Sequence, residues 1–472
     1  MRTCVRPPGA SYGAWMEQST EEVLAELNRP RSVRVASSAV LAAKVGTAAA
    51  AIDRKRAKKR GTATDEPAHR KPGLVPLRDD GDLSVTAWQL LSVLARATAL
   101  ARQGRGRGLA EHWQILKYGS ALGADQTGAM RLSRAGLLPE QAYRSMQARE
   151  LGRAFGLAVA ERAVRRRFPD RILSTVDAEP VLLAGFARAK GLPNLGARPR
   201  PDYFVEAWRP GAPSRLFGVT VNGNHQVAGK RTGTTDRTSY NQLARGSERA
   251  ENFQLTDWND VPCLLMSTEL LAPDGITVHA LRARGAGSLP PRPAAGRGSA
   301  DERPRKANPP YANAVRVPAS DGRVGRVQDG FAIPSEHAAW FGRVVAHVGA
   351  ASQLALAGGG RHIAWYLTED QGRKHYEIDT FAGSDSVRDA EYNFGAARYV
   401  GTDQVFRLGG VRVEAFSGME TSLFDLLTAH QVEEYRRQAY RRRGELQRSD
   451  GEQWQAVSFS DDGSVLAIRV VP

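Results

Sequence analysis

Residues 198–208 read Arg-Pro-Arg-Pro-Asp-Tyr-Phe-Val-Glu-Ala-Trp, residues 215–225 read Arg-Leu-Phe-Gly-Val-Thr-Val-Asn-Gly-Asn-His, and residues 240–248 read Tyr-Asn-Gln-Leu-Ala-Arg-Gly-Ser-Glu. The first is a Pro-Asp pair entering an apolar run. Turn-forming residues at 210–214 separate it from the second apolar run, and the third stretch is a polar helix led by Gln242. Next come Val-Pro-Cys-Leu-Leu-Met-Ser-Thr at 261–268, a strongly apolar strand, and its hairpin partner at 276–281 across Pro273-Asp274-Gly275. The order strand, strand, helix, strand decides the fold class: a mixed α/β layer with helices against it.

Working upstream, residues 140–168 have the composition of one long helix, stopped by Pro169. Glu150 and Glu161 are eleven residues apart, which at ~100° per residue returns to within ~20° of one face. On the residues alone, each reads as a solvent-facing Glu among arginines. A weaker alternative for residues 148–167 is a helix-turn-helix with Gly156-Leu157 as its turn. Residues 172–176 and 180–184 are of strand type. Earlier still, helices are expected from Thr20, over 38–59, over 83–102 capped by Asp82, and over 109–123. The 38–59 helix ends in a basic tract with Lys55, Lys58 and Lys59, which is either a solvated helix terminus or a phosphate-contacting arm.

This order resembles the core of the PD-(D/E)xK, or restriction-endonuclease-like, superfamily over about a quarter of the chain. The resemblance implies a divalent metal, Mg²⁺ or Mn²⁺, held by the Asp of Pro-Asp and by an acid-x-lysine on the next strand. Asp202 stands at the first place, but Thr220-Val221-Asn222 replaces the acid and the lysine. The implied metal ligands are Asp202, Glu150 or Glu161, and Glu206, which lies four residues from Asp202 and so on the same strand face. Glu150 is the more similar of the two helix acids. Asn222 and Gln242 take the remaining catalytic positions, with Gln242 facing substrate. Lys230, Arg231 or Arg245 would replace the missing cation and grip a nucleic-acid backbone. The resemblance implies a DNA-associated protein, either a divergent metal-dependent endonuclease or a non-cleaving relative.

Composition bounds the alternatives. The 472 residues carry a formal net charge of +16, and of 66 basic residues 10 are Lys and 56 Arg. Such an excess favours polyanion partners, although Arg together with abundant Ala and Gly also suits a GC-rich genome. Cys4 and Cys263 have no metal-ligand spacing and read as reduced thiols; the seven isolated histidines at 69, 112, 337, 347, 362, 375 and 430 show none either. No apolar run is long enough for a membrane span and no signal peptide is evident, so a cytoplasmic protein is expected. No phosphate-binding glycine motif for ATP or a dinucleotide is present.

The expected organisation is a basic helical region over 1–135, the nuclease-like domain over 138–282, a Pro/Gly/Arg-rich disordered linker over 283–330, and an α+β domain over 331–472. In the last, a helix is expected over 334–356, strands over 362–368 and 374–381, hairpins around Gly409-Gly410 and Asp461-Asp462-Gly463, and a charged helix over 422–446. Glu377 and Asp379 form a possible carboxylate pair or simply the polar face of a strand. A structural or partner-binding protein of a defence or mobile-element system, without nuclease activity, is the competing reading.

Overall fold

The computed structural model describes residues 19–60, 73–78, 81–100, 111–185, 200–225, 235–255, 261–292, 302–303, 314–316, 327–376, 390–408, 410–446 and 453–471. Lys230, Arg231, Glu377 and Asp379 lie outside them, as does the side chain of Lys59. Among the described residues no helix is long and apolar enough to cross a membrane.

The architecture is mixed α/β. Seven strands of the nine-stranded central sheet run in the order Leu83–Val85, Arg31–Ala36, Thr277–Ala283, Cys263–Glu269, Ser214–Asn224, Tyr203–Trp208 and Ile172–Asp177. The last three form an antiparallel meander. Cys263–Glu269 then returns parallel to Ser214–Asn224, after the helix Thr235–Glu251 has crossed over. Alternation places the two faces. Leu264 and Met266 join the core on the side of the long helix Gln141–Arg167, whereas Cys263 and Leu265 pack with Leu243 and Ala244 of the crossover helix. A third helix, Ala39–Arg60, covers the crossover helix through Leu41, Val45 and Ala49.

Two arms at the sheet's far edge come from the segment expected to be helical. Arg31–Ala36 pairs parallel with Thr277–Ala283, and Leu83–Val85 antiparallel with Arg31–Ala36. The five-stranded antiparallel sheet of residues 390–470 packs on the helix Ala87–Thr98, where the Trp88 indole N–H donates to Leu466 O at 2.8 Å. One continuous cluster of buried apolar side chains runs from Leu24 to Ile468, so the core crosses the boundaries expected at 135, 283 and 331. Ser288–Leu289, inside the expected linker, pairs with Ser214 and Arg215.

Several local expectations are corrected by caps. Residues 180–184 are not a strand: Asp177 accepts from Glu179 N and starts the helix Ala178–Leu183, with Pro180 in its first turn, where a missing N–H costs nothing. Helix His362–Trp365 stands within the stretch expected as a strand over 362–368, and helix Glu369–Tyr376 takes up residues 374–376 of the one expected over 374–381, the rest of which lies outside the described residues. The Thr368 N–H and hydroxyl both bond Gln371 Oε1, fixing the second helix start. Thr86, not Asp82, caps the Ala87–Thr98 helix through Gln89, and Ser19, not Thr20, caps Thr20–Leu27 through Glu22. Residues 111–118 form a 3₁₀ helix, shorter than the helix expected there.

Candidate functional site: an arginine-lined cleft at a strand edge

The long helix is continuous from Gln141 to Arg167, so the helix-turn-helix alternative falls. Its glycines serve packing. A Cβ on Gly152 would stand 2.6 Å from Gly223 Cα, and one on Gly156 would stand 2.8 Å from Val221 Cγ1. A Cβ on Gly223 would lie 1.9 Å from Ala148 O. Helix and strand therefore meet backbone to backbone, which only glycine on both sides permits.

Strand lengths open the site. Tyr203–Trp208 pairs with Ser214–Asn224 from Tyr203↔Val219 to Ala207↔Arg215, so residues 220–224 run on beyond it, with no further strand paired to that edge among the described residues. Asp202 sits at the fork. Its own N–H donates to Val219 O at 2.9 Å, and its Oδ2 accepts from the Val221 N–H at 2.8 Å, satisfying the first unpaired donor of the edge.

The second oxygen of Asp202 meets a cation. Arg249 Nη1 lies 2.5 Å from Asp202 Oδ1, and its Nη2 donates to Asn222 Oδ1 at 3.2 Å. One guanidinium thus bridges the two positions where the resemblance implies metal and catalytic groups. Burial pushes the Asp202 carboxyl above its ordinary value, opposed by Arg249, the Val221 amide, Arg153 and Arg200. Arg149 and Arg153, one turn apart on the long helix, face Asp202 and Arg249 across a cleft of about 380 Å³. Burial works against the Arg153 charge, but Tyr203, Asp177, Asp202 and Glu150 more than offset it, and its pKa is raised. Its guanidinium lies 5.7 Å from the Tyr203 ring centroid. The cleft carries three arginines against one aspartate.

The remaining expected ligands are elsewhere. Glu150 accepts from the Tyr118 hydroxyl and pairs with Lys117 at 2.7 Å. Glu161 is buried and binds Arg96 Nη2 at 3.2 Å and Thr175 Oγ1 at 2.6 Å. Glu206, fully buried, is held by Arg436 at 3.0 and 3.2 Å and lies 3.6 Å from Arg292. Gln242 is not among the described residues that line the cleft: its Nε2 donates to Gly223 O at 3.0 Å and its Oε1 accepts from Ser267 Oγ at 2.6 Å, tying the crossover helix to both parallel strands. Thr220 is buried beneath Gly246. Arg245, Lys55 and Lys58 are exposed and do not line the cleft.

Mg²⁺ and Mn²⁺ do not fit this donor set. Hard cations require several oxygen ligands, and among the described residues Asp202 is the one carboxylate that lines the cleft, already paired with Arg249. Among the described residues no three His, Cys, Asp or Glu side chains are grouped to hold a metal.

Sequence reasoning passed over Arg249, Arg149 and Arg153. A signal existed: Arg249 follows Gln242 by seven residues, two helical turns, and so shares its stripe; Arg149 and Arg153 are four apart. Fold and cleft together define a mixed α/β protein with an electropositive site at an open strand edge. No family model matches the chain, and neither a curated protein nor a solved structure matches it.

Proposed function

We propose that this is a nucleic-acid-binding protein with a restriction-endonuclease-like core, in which a guanidinium has taken the place of the metal and the cleft binds phosphate without cleaving it. The observation that carries this reading is Arg249 bridging Asp202 and Asn222, with Arg149 and Arg153 opposite. Long helix, three-stranded meander, crossover helix and parallel strand follow one another in the order of that superfamily's core, which supports the fold half of the reading. Arginine suits phosphate because its planar donors match two phosphate oxygens at once. A fixed guanidinium supplies charge but no activated water, so binding survives where hydrolysis does not.

The test is anisotropy of a fluorescein-labelled 20-mer, single-stranded and duplex, titrated with protein between 50 and 200 mM KCl. Two phosphate contacts, from Arg149 and Arg153, predict a log–log salt slope of roughly −1.4 to −1.8, reduced by about one in Arg149→Ala or Arg153→Ala. A missing slope sinks the reading. Plasmid incubated with Mg²⁺ or Mn²⁺ is expected to stay intact; cleavage that Asp202→Ala abolishes would restore a working nuclease.

A further inference from the structure

Within the cleft, charge is answered at one arginine and left unanswered at two. Ser145, Arg149 and Arg153 follow one another at four-residue steps along the long helix, so they form one stripe and line the same wall. Asp202 pairs with Arg249. Neither Arg149 nor Arg153 makes a hydrogen bond or ion pair with another described residue. Arg149 is exposed; Arg153 is partly buried, with its guanidinium 5.7 Å from the Tyr203 ring centroid. Holding a guanidinium partly out of water without an acceptor costs free energy, and an anion in the cleft supplies the missing partner.

The size of the imbalance selects the anion. Among the described residues that line the cleft, three arginines and one aspartate leave an excess of two positive charges. A phosphodiester inside a strand carries one negative charge and two non-bridging oxygens. A phosphomonoester at the end of a strand approaches two negative charges at neutral pH and offers three acceptor oxygens. Side chains one helical turn apart start ~5–6 Å from each other, so the two guanidinium forks can close on a single phosphate from one side. At about 380 Å³ the cleft has the volume of a small-molecule site, and it is closed beside Gly223 by the contact of that residue with Gly152. A strand end suits such a place better than a continuous backbone does.

We propose that the cleft captures the terminal phosphate of a nucleic-acid strand, with Arg149 and Arg153 gripping it from the helix. This rests on the nucleic-acid reading above and names the group that the site takes. The measurement is anisotropy of one single-stranded 20-mer with an internal fluorescein, made with a 5′-phosphate, with a 3′-phosphate, or with hydroxyls at both ends. Each form is titrated with the full chain, with Arg149→Ala and with Arg144→Ala, a neighbour on the same helix that does not line the cleft. Both arginines are exposed, so both variants are expected to fold, checked by their unfolding midpoints. At least one phosphorylated form is expected to bind about tenfold more tightly than the hydroxyl form, and which one it is tells which end enters. Arg149→Ala should bring that preference to within a factor of about three, and Arg144→Ala should leave it intact. Inorganic phosphate, added at constant ionic strength, should reduce the phosphorylated strand to the affinity of the hydroxyl form. Equal binding of all three forms overturns the proposal and leaves nucleic-acid binding standing. A preference that Arg149→Ala leaves untouched, or that Arg144→Ala lowers as much, also overturns it, because the added charge is then felt by the basic surface at large. If no form binds, the nucleic-acid reading fails together with the proposal.

Discussion

Asp202 and Glu206 stand four residues apart, each beside an arginine, yet they occupy opposite regimes. Asp202 and Arg249 remain 28% and 24% exposed and border a cleft. Glu206 is fully buried, bound by Arg436, approached by Arg292, and roofed where Arg436 lies 3.9 Å from the Trp208 ring centroid. Burial works against the Glu206 charge, but Arg436, Arg292 and the Ser214 hydroxyl hold its carboxyl below the ordinary range. The contrast teaches that one ion-pair chemistry serves as a lock where water is shut out and as an adjustable binding surface where it is not.

The comparison is broken most forcefully at the lock. Glu206→Ala leaves Arg436 buried without its anion and is expected to cost about 3–5 kcal/mol in urea unfolding. A loss near that of an exposed pair would erase the distinction. Acid attacks the same region. His347 is buried beside the Trp365 and Tyr366 rings, bonds Arg343 O, and feels Arg343, Arg292 and Arg436. Burial, with those three arginines, depresses its pKa from 6.5 to about 4. Its contribution is complete above pH ~6.5 and is lost as pH falls toward about 4, because the unfolded chain binds the proton first. The loss amounts to roughly 3 kcal/mol, and His347→Gln should flatten urea midpoints across that window.

At the cleft the effects are smaller. Gly223→Ala sets a methyl against Ala148 O and should cost about 2 kcal/mol while weakening oligonucleotide binding, since the floor between helix and strand must part. Asp202→Ala should cost about 1 kcal/mol or less, yet tighten oligonucleotide binding several-fold by freeing Arg249. Tighter binding with little lost stability is the signature separating the cleft from the lock; weaker binding would remove Arg249 from the phosphate site.

Which parts were legible follows from how local their causes are. The continuous apolar runs at 203–208 and 263–269 and the helix-forming composition of 141–167 announce themselves, and the pairing of Tyr203–Trp208 with Ser214–Asn224 follows from the short connection between them. Arg31–Ala36 beside Thr277–Ala283 does not, because parallel pairing across some 240 residues leaves no local trace. Nor did the dispersal of the carboxylates: Glu150, Glu161 and Glu206 each meet cations or hydroxyls brought from distant segments, and no spacing rule contains Lys117, Arg96 or Arg436. Gly156, which with Leu157 suggested a turn, was read for backbone freedom, whereas its use, like that of Gly152, is close approach to a strand.

The long helix is held at two depths. Near its middle Gly152 rests on Gly223, and near its end Arg165 reaches Asp461 of the final hairpin at 3.4 Å. Thirteen residues separate these anchors, so inserting or deleting a single one swings them out of phase by ~100°. The span between them is thus fixed in length as well as in character: point substitutions are tolerated where the side chain permits, but a change in residue count forces either the strand or the hairpin to let go.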